Sequence, residues 1–430
     1  MIFKIKEIGK VQTGCTPKTK NEKYYESKEY MFVGPSDLKN NKYVRITEKN
    51  ISETAYEDYK TRFIDKDSIM VDCIGSDMGN VALSVKKVLT NQQINSITNI
   101  DTNKFNVEYI YYILSTMKKY FHQIGTNGST MPIINKSLFE EIEIDVPNKD
   151  IQDKFVTILS VIDKKIELNN QINDNLQEIC NTIFLKWFKE YDFPDKDGNP
   201  YKTSKGVMIN TEIGKIPENW KVGLFQDIIT FSNGYGFKSS ELLDSEEADT
   251  YKVFKQGNIC ITGGINEEKT KSWFYKKDCK GLESYILKKG DILMCMTDMK
   301  NSTSPLLGHT ALMNVNNEYI VNQRVGLIRC KKDIVDFPYV YTLTNLDYFL
   351  NDIRSRANSG VQVNLSTKGI CETQIVIPEK GIIDKFNNIA KPIYEKMFNL
   401  QQENKNLVKL RDTLLPKLMN GEIDLDKIEI

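Results

Sequence analysis

A chain of 430 residues with a 40% apolar fraction has room for two or three domains with real cores, at roughly 150 residues per domain, which excludes a disordered protein. Its 58 basic residues balance its 58 acidic ones, so no net field selects a polyanionic partner, and a nucleic-acid face would require local segregation of charge. No apolar run approaches the roughly 18 residues of a membrane span, and the start MIFKIKEIGK is charged where a signal peptide is apolar, so a cytoplasmic protein is expected.

The first 147 residues consist of short runs rich in Val, Ile, Tyr and Phe, broken by Gly, Asn and Asp, a pattern of strands joined by turns. The stretch around 106–122 reads as helical, and the strand-like EIEIDVP (141–147) closes the domain at Pro147. A long helix should follow, capped by Asn148 or Asp150 and running to about Glu190, roughly 60 Å at ~1.5 Å per residue. The segment 191–217, opening with YDFPDKDGNPYKTSKG, concentrates Pro, Gly, Asp and Lys and reads as a linker. A second domain then spans 218–378, with helix expected around 338–353. A second long helix should run from near Lys380 to Gly421, a natural C′ residue, within a final segment of 379–425. Pro392 and Pro416 lie inside it, and each should kink or break the helix.

The two halves repeat each other. QDKFVTILSVIDKKIELNN (152–170) and IDKFNNIAKPIYEKMFNLQ (383–401) share an Asp-Lys-Phe start and the apolar spacing after it. At that offset the series Phe155, Ile162, Asn169, Leu176, Ile183 falls on Phe386, Ile393, Leu400, Leu407, Leu414. NQQINSI (91–97) matches NQRVGLI (322–328) at the same offset, EIEIDVP matches ETQIVIP (372–378), and IKEIGKVQTG (5–14) resembles FQDIITFSNG (225–234). Helices this long with a narrow apolar seam are unstable alone in water. Each copy can bury the other's stripe, with Phe155, Ile162, Leu176, Ile183, Phe386, Ile393, Leu400, Leu407 and Leu414 at the contact. The expected fold is α+β: two repeated domains with mixed β-sheets, separated by two long helices that form an antiparallel coiled coil with approximate two-fold symmetry.

With this order in place, the chain resembles the specificity subunit of Type I restriction-modification systems. The resemblance rests on the tail LRDTLLPKLMNGEI (410–423), the entry IGKIPENWKVGLFQDI (213–228) and the exit GVQVNLSTKGICETQIVIP (360–378) of the second domain. GSTMPIINKSLFEEIEIDVP (128–147) repeats that exit in the first half, with Met131 where the family often carries glutamine. It implies two target-recognition domains, each reading half of a split double-stranded DNA target, and helices that act as spacer and dock two methyltransferase subunits. The chemistry would belong to those partners: adenine N6 methylation with S-adenosylmethionine and, where a restriction motor subunit is present, ATP- and Mg-driven translocation and cleavage. Two readers on one duplex face must stand about one helical turn apart, ~34–36 Å, or a multiple of it.

The residues agree with a chain that binds no cofactor or metal and does no chemistry. No two prolines adjoin, so the Pro-Pro of an amino-methyltransferase loop is missing. Gly9-Lys10 and Gly214-Lys215 are each followed by an apolar residue, which removes the P-loop Ser or Thr. FPDKDG (193–198) opens like a nuclease motif, but no acidic-x-Lys triplet follows within about 30 residues. The eight cysteines contain no CxxC pair and should be reduced thiols, and zinc has no paired ligand spacing. A nucleophilic mechanism would need a Cys/His pair such as Cys295 with His309, one of only two histidines.

Base readout needs paired donors and acceptors, while Lys, Ser and backbone amides hold phosphates. Between the strands of the first domain the candidates are Lys18, Lys20, Ser36, Asp37, Lys39, Ser76, Asp77, Asn80, Gln92, Ser129 and Thr130. In the second they are Lys238, Gln256, Asn258, Asp298, Lys300, Asn301, Gln323, Arg324, Arg356 and Gln362. The competing view of GSDMGN (75–80) is a tight turn, and of Gln92 and Gln323 a pair of buried backbone-satisfying amides. For the whole chain the alternatives are an enzyme with an unrecognised nuclease or methyltransferase site and a protein-binding scaffold.

Overall fold

The Val-, Ile- and Tyr-rich runs of both halves pair as strands in the structure, a computed structural model that describes residues 1–39, 42–126, 132–261, 263–299, 306–358, 362–423 and 425. The chain divides into two units, Met1–Glu167 with Asn404–Ile430, and Leu168–Glu403.

In the first unit the strands are β1 (Ile2–Lys4), β2 (Lys10–Thr13), β3 (Tyr30–Val33), β4 (Tyr43–Val44), β5 (Lys49–Ile51), β6 (Ile69–Asp72), β7 (Val81–Ser84), β8 (Leu89–Thr90), β9 (Ile94–Thr98) and β10 (Glu143–Asp145). They form a five-stranded sheet in the order β2-β9-β6-β7-β4, a three-stranded sheet β5-β3-β8 and the pair β1-β10. Pairing is antiparallel except for β3 with β8 and β4 with β7. Every residue of β6, β7 and β9 is buried, which is why these runs read as apolar and show no alternation. Helices α1 (Val107–Thr116) and α2 (Lys118–Gly125) cover the sheet, α1 starting on Asn106, whose side chain accepts from the Glu108 and Tyr109 amides. The long helix α3 (Lys149–Phe184) follows, with Asn148 as its cap: Oδ1 accepts from the Ile151 amide at 3.0 Å.

The second unit repeats this plan. Its strands are β11 (Met208–Thr211), β12 (Gly214–Pro217), β13 (Lys221–Leu224), β14 (Ile229–Asn233), β15 (Thr250–Phe254), β16 (Trp273–Tyr275), β17 (Ile292–Cys295), β18 (Thr297–Met299), β19 (Thr310–Leu312), β20 (Tyr319–Val321), β21 (Val325–Cys330), β22 (Gln362–Asn364) and β23 (Gln374–Ile377). Sheets ordered β14-β21-β17-β19 and β16-β15-β20 and the pair β13-β23 reproduce β2-β9-β6-β7, β5-β3-β8 and β1-β10. The parallel pairing of β3 with β8 recurs as β15 with β20. Helices α4 (Phe337–Thr344) and α5 (Asp347–Ser355) stand where α1 and α2 do, and α6 (Lys380–Met419) is the second long helix.

The long helices meet within each unit, and they do so antiparallel. In the second unit Asn169 pairs with Glu403 (2.9 Å), Gln177 with Tyr394 (3.4 Å) and Phe184 with Phe386 (ring centroids 5.5 Å), so one number falls as the other rises. In the first unit Asp163 meets Arg411 at 3.2 Å and Lys154 meets the Leu425 carbonyl at 3.3 Å, so the numbers again run oppositely. Of the seam residues expected from periodicity, Phe155, Ile162, Phe386 and Leu400 are buried, while Leu176, Ile183, Ile393, Leu407 and Leu414 are half-buried. Periodicity passes over Leu159, Cys180, Phe184, Tyr394 and Leu418, all buried against the domain cores. Each fully buried Phe or Leu contributes roughly 1.5–3 kcal/mol.

Two expectations are corrected. α6 runs through Pro392 and Pro416 without the expected break. Proline removes one backbone donor, and buried Ala390, Tyr394 and Leu418 hold the helix on either side. It ends as expected, with Gly421 in the left-handed region at φ +71°. The segment 191–217 is more than a linker: after α3 closes in a π-type turn over Leu185–Lys189, Phe193 stacks between Tyr201 (4.6 Å) and Trp220 (4.9 Å), and β11 and β12 form a hairpin. The Pro, Gly and Lys content hid three aromatics that pack on one another.

Candidate nucleic-acid interface

In each unit a glycine at the end of a sheet strand brings one loop against one turn. After β2, the Gly14 amide donates to the Ile94 carbonyl (3.0 Å) and the Cys15 amide to Thr90 (2.8 Å). A Cβ at Gly14 would stand 2.2 Å from the Thr90 oxygen, so only glycine permits the approach. After β14, Gly234 and Tyr235 make the same two bonds, to Val325 (3.1 Å) and Val321 (2.9 Å), and a Cβ at Gly234 would lie 2.3 Å from the Asn322 oxygen.

The turn that meets each loop is the NQQ/NQR repeat. Asn91 accepts from the Gln93 amide (2.8 Å) and Asn322 from the Arg324 amide (3.4 Å), the Asx turns that this residue type favours. Gln92 and Gln323 are consequently exposed at the turn tips, not buried. The Thr16 hydroxyl donates to Gln92 Oε1, and the Gln323 amide donates to the Tyr235 carbonyl at 2.9 Å. The Gln93 carbonyl accepts from Cys73 (2.8 Å) and the Arg324 carbonyl from Met296 (3.4 Å), so these backbone bonds recur while the contacts of the two glutamines differ. Lys18 and Lys20 are exposed on the loop that carries Thr16, and Lys238 is exposed on the one that carries Tyr235.

Lys39, Asp77 and Asn80 form a self-satisfying group. Asp77 pairs with Lys118 (2.7 Å) and Lys39 (2.6 Å), and these two ammonium groups hold its carboxyl down at about 2. Asn80 donates to Asp72 (2.8 Å) and to the Asp77 carbonyl (2.7 Å) and accepts from Lys118 (2.8 Å). Buried Asp72, its carboxyl pushed up by burial, also accepts from the Gly79 and Asn80 amides. GSDMGN is therefore a tight turn with Gly75 and Gly79 at positive φ, and Ser76 exposed upon it. Asp37 accepts from the Gly34 (2.8 Å) and Glu48 (3.0 Å) amides, and Ser36 reaches Glu48 at 3.3 Å.

In the second unit Asn258 is completely buried and bonded to Lys255, Asn266 and Thr270, which makes it a support of its loop with nothing to offer a ligand. Gln256 is half-buried, its Oε1 enclosed without a partner among the described residues. Asp298 accepts from Leu306 (2.6 Å), and Arg356 pairs with Asp352 one helical turn away (3.0 Å). Ser129, Thr130, Lys300 and Asn301 lie outside the described residues, as does the side chain of Gln362, whose backbone pairs with Met299. The structure thus groups Gln92 with the Lys18 and Lys20 loop, and Gln323 and Arg324 with the Lys238 loop. Sequence reasoning passed over Thr16 and Lys118, which carry no pattern of their own. The asparagines before Gln92 and Gln323 were visible in the repeat.

Cys295 and His309 are neighbours through their backbones, the Cys295 amide donating to the His309 carbonyl at 2.9 Å. The thiol is buried, donates to the Thr297 carbonyl (3.3 Å) and is pushed up to about 11, so it is no thiolate nucleophile. Among the described residues no three His, Cys, Asp or Glu side chains gather as metal ligands, and no helix is long and apolar enough to cross a membrane.

A family model described as a Type I restriction modification DNA specificity domain matches residues 1–178 and 217–411. The chain is 29% identical to the specificity subunit of the Type I restriction enzyme MjaIX of Methanocaldococcus jannaschii, over 99% of this chain and 94% of that one. It is 22% identical to the HindI specificity subunit of Haemophilus influenzae, over 91% and 94%. The crystal structure of a Type I restriction-modification S subunit from M. genitalium has the same fold, with a TM-score of 0.51 at 18% identity over 97% of this chain and 95% of that one.

Proposed function

The chain belongs to the Type I restriction-modification DNA specificity family, and from that premise we infer how its two units divide the work. A specificity subunit is the non-catalytic component that supplies DNA sequence recognition to a multi-subunit enzyme. In our reading residues 1–147 and 218–378 are two target-recognition domains, each responsible for one half of a split double-stranded target. Residues 148–190 and 379–425 are the spacer helices, the first of them joined to the second domain through 191–217. They dock two methyltransferase subunits and, where present, restriction motor subunits. S-adenosylmethionine serves the methyltransferases and ATP with Mg the motor, and the methyl group goes to adenine N6.

The observation that carries the reading is the matched pair of turns, each presenting an exposed glutamine at the same place in a repeated fold. A glutamine amide can donate to N7-side acceptors and accept from N6 of adenine in the major groove. Mapping N6-methyladenine across the genome of strains with and without this gene tests the reading. Loss of one bipartite motif is expected, and loss of a contiguous motif or of none would overturn it.

A further inference from the structure

The chain has seven arginines, and the partners of their guanidinium groups separate them. Arg45 pairs with Glu167, Arg329 with Asp291, Arg356 with Asp352 and Arg411 with Asp163, while Arg354 donates to the Leu307 carbonyl. Arg62 and Arg324 are exposed, and among the described residues neither guanidinium has a hydrogen bond or an ion pair. There is one such arginine in each unit.

Arg324 stands in the glutamine turn of its unit, and Arg62 stands on a different element, beside the strand that leads to the loop meeting the other turn. Arg324 follows Gln323 directly in the turn. Gln93 occupies the equivalent position of the first unit, half-buried. There the arginine comes from a short 3-10 turn, Lys60–Arg62. Gln12 of β2 donates from Nε2 to the Arg62 carbonyl at 2.7 Å, which fixes this turn beside the strand that leads into the Gly14 loop. The Arg62 charge reaches Cys15, whose thiol burial otherwise pushes up, and the next residue, Thr16, holds Gln92. An exposed guanidinium with no internal partner keeps its whole donor fork for a ligand, and in a DNA groove that fork matches guanine O6 and N7.

We propose that Arg62 and Arg324 are the guanine readers of this chain, each working beside the glutamine of its own unit, so that each half of the target requires a guanine through one arginine. The inference rests on the reading that each unit reads one half-site. It also makes the two readers non-homologous: one repeat carries the arginine in the turn itself, the other on a neighbouring element.

The test is N6-methyladenine mapping in cells that express the assembled methyltransferase with Arg62→Ala, Arg324→Ala, or the bulkier Arg62→Gln and Arg324→Gln. Each variant should relax a guanine requirement roughly 10- to 100-fold at a position in one half of the motif, Arg62 and Arg324 acting on opposite halves. The unaffected half reports that the variant chain is folded and assembled. An unchanged motif with methylation lowered uniformly would make the arginines phosphate contacts and overturn the proposal. So would both variants acting on the same half, or Ala and Gln variants that assemble but methylate nothing. If the wild-type chain directs no bipartite motif, the underlying reading fails. A bipartite motif indifferent to both arginines fails this inference alone.

Discussion

Replacing Asp163 by alanine should destabilise the first unit by about 3 kcal/mol, the lower end of what breaking a buried ion pair costs. Asp163 lies on α3 with its side chain only 8% exposed, and it accepts from Lys42 Nζ (2.9 Å), Arg411 Nη1 (3.2 Å) and the Tyr112 hydroxyl. One carboxylate therefore ties the domain, through Lys42 and Tyr112, to both long helices. Its removal leaves Lys42, itself 8% exposed, with Glu108 at 2.8 Å as its remaining ion partner. Arg411 retains Asp412 at 2.9 Å and is 28% exposed, and these residual pairings argue for the lower end of the range. The same node in the second unit is neutral: Tyr394 stands at the repeat position of Asp163 and shares a hydroxyl contact of 2.8 Å with Thr342. Loss of that hydrogen bond in Tyr394→Phe should cost only about 1 kcal/mol. Hydrogen exchange resolved by peptide is the suitable assay, because a chain of two units need not unfold in one step. Asp163→Ala should accelerate exchange in α1 and β6 and leave β17 and β21 unchanged. A loss below about 1 kcal/mol would refute the claim that opening this node leaves buried positive charge only partly compensated.

His309 is held below its ordinary value by burial, with the Arg354 charge adding to it. Its folded value lies under the unfolded one, so the stability it contributes is present above about pH 6.5 and is lost as pH falls through the folded value. Urea midpoints at pH 7.5 and 5.5 should separate for the wild type and converge in His309→Gln, and equal separation in both would contradict this. Trp220, 4% exposed and stacked on Phe193, should cost roughly 3–5 kcal/mol on replacement by alanine, seen as loss of protection in 191–217. With 58 charges of each sign, the isolated chain should bind DNA weakly and with a shallow salt dependence, tight specific binding appearing only with methyltransferase subunits present. Tight, specific gel shifts by the chain alone would disprove that.

The parts of the fold that could be read from sequence are those where burial imposes a repeat. Phe155 and Phe386 are visible because a two-position seam must recur, and the Asn-Gln turns because the same crossing from one sheet to the other is built twice. What could not be read is polar burial. Asp163, Asn169 and Asn258 are hydrophilic letters that look like surface, yet all three are buried, the first two against partners far away in sequence and Asn258 bonded within its own loop. The candidate interface divides the same way. Gln92, Gln323 and Arg324 could be found because they sit in the repeat. The pairing of Asp77 with Lys39 and Lys118 could not, since only the folded turn brings those charges together. Arg62 escaped notice because the matching 3-10 turn of the second unit, Glu283–Tyr285, carries no arginine.

The claim that each unit reads its own half of the target is tested most directly by exchanging residues 218–378 for the corresponding domain of another specificity subunit and mapping N6-methyladenine in cells. The motif should keep its first half and adopt the donor's second half. A motif changed in both halves, or in neither, would contradict the account.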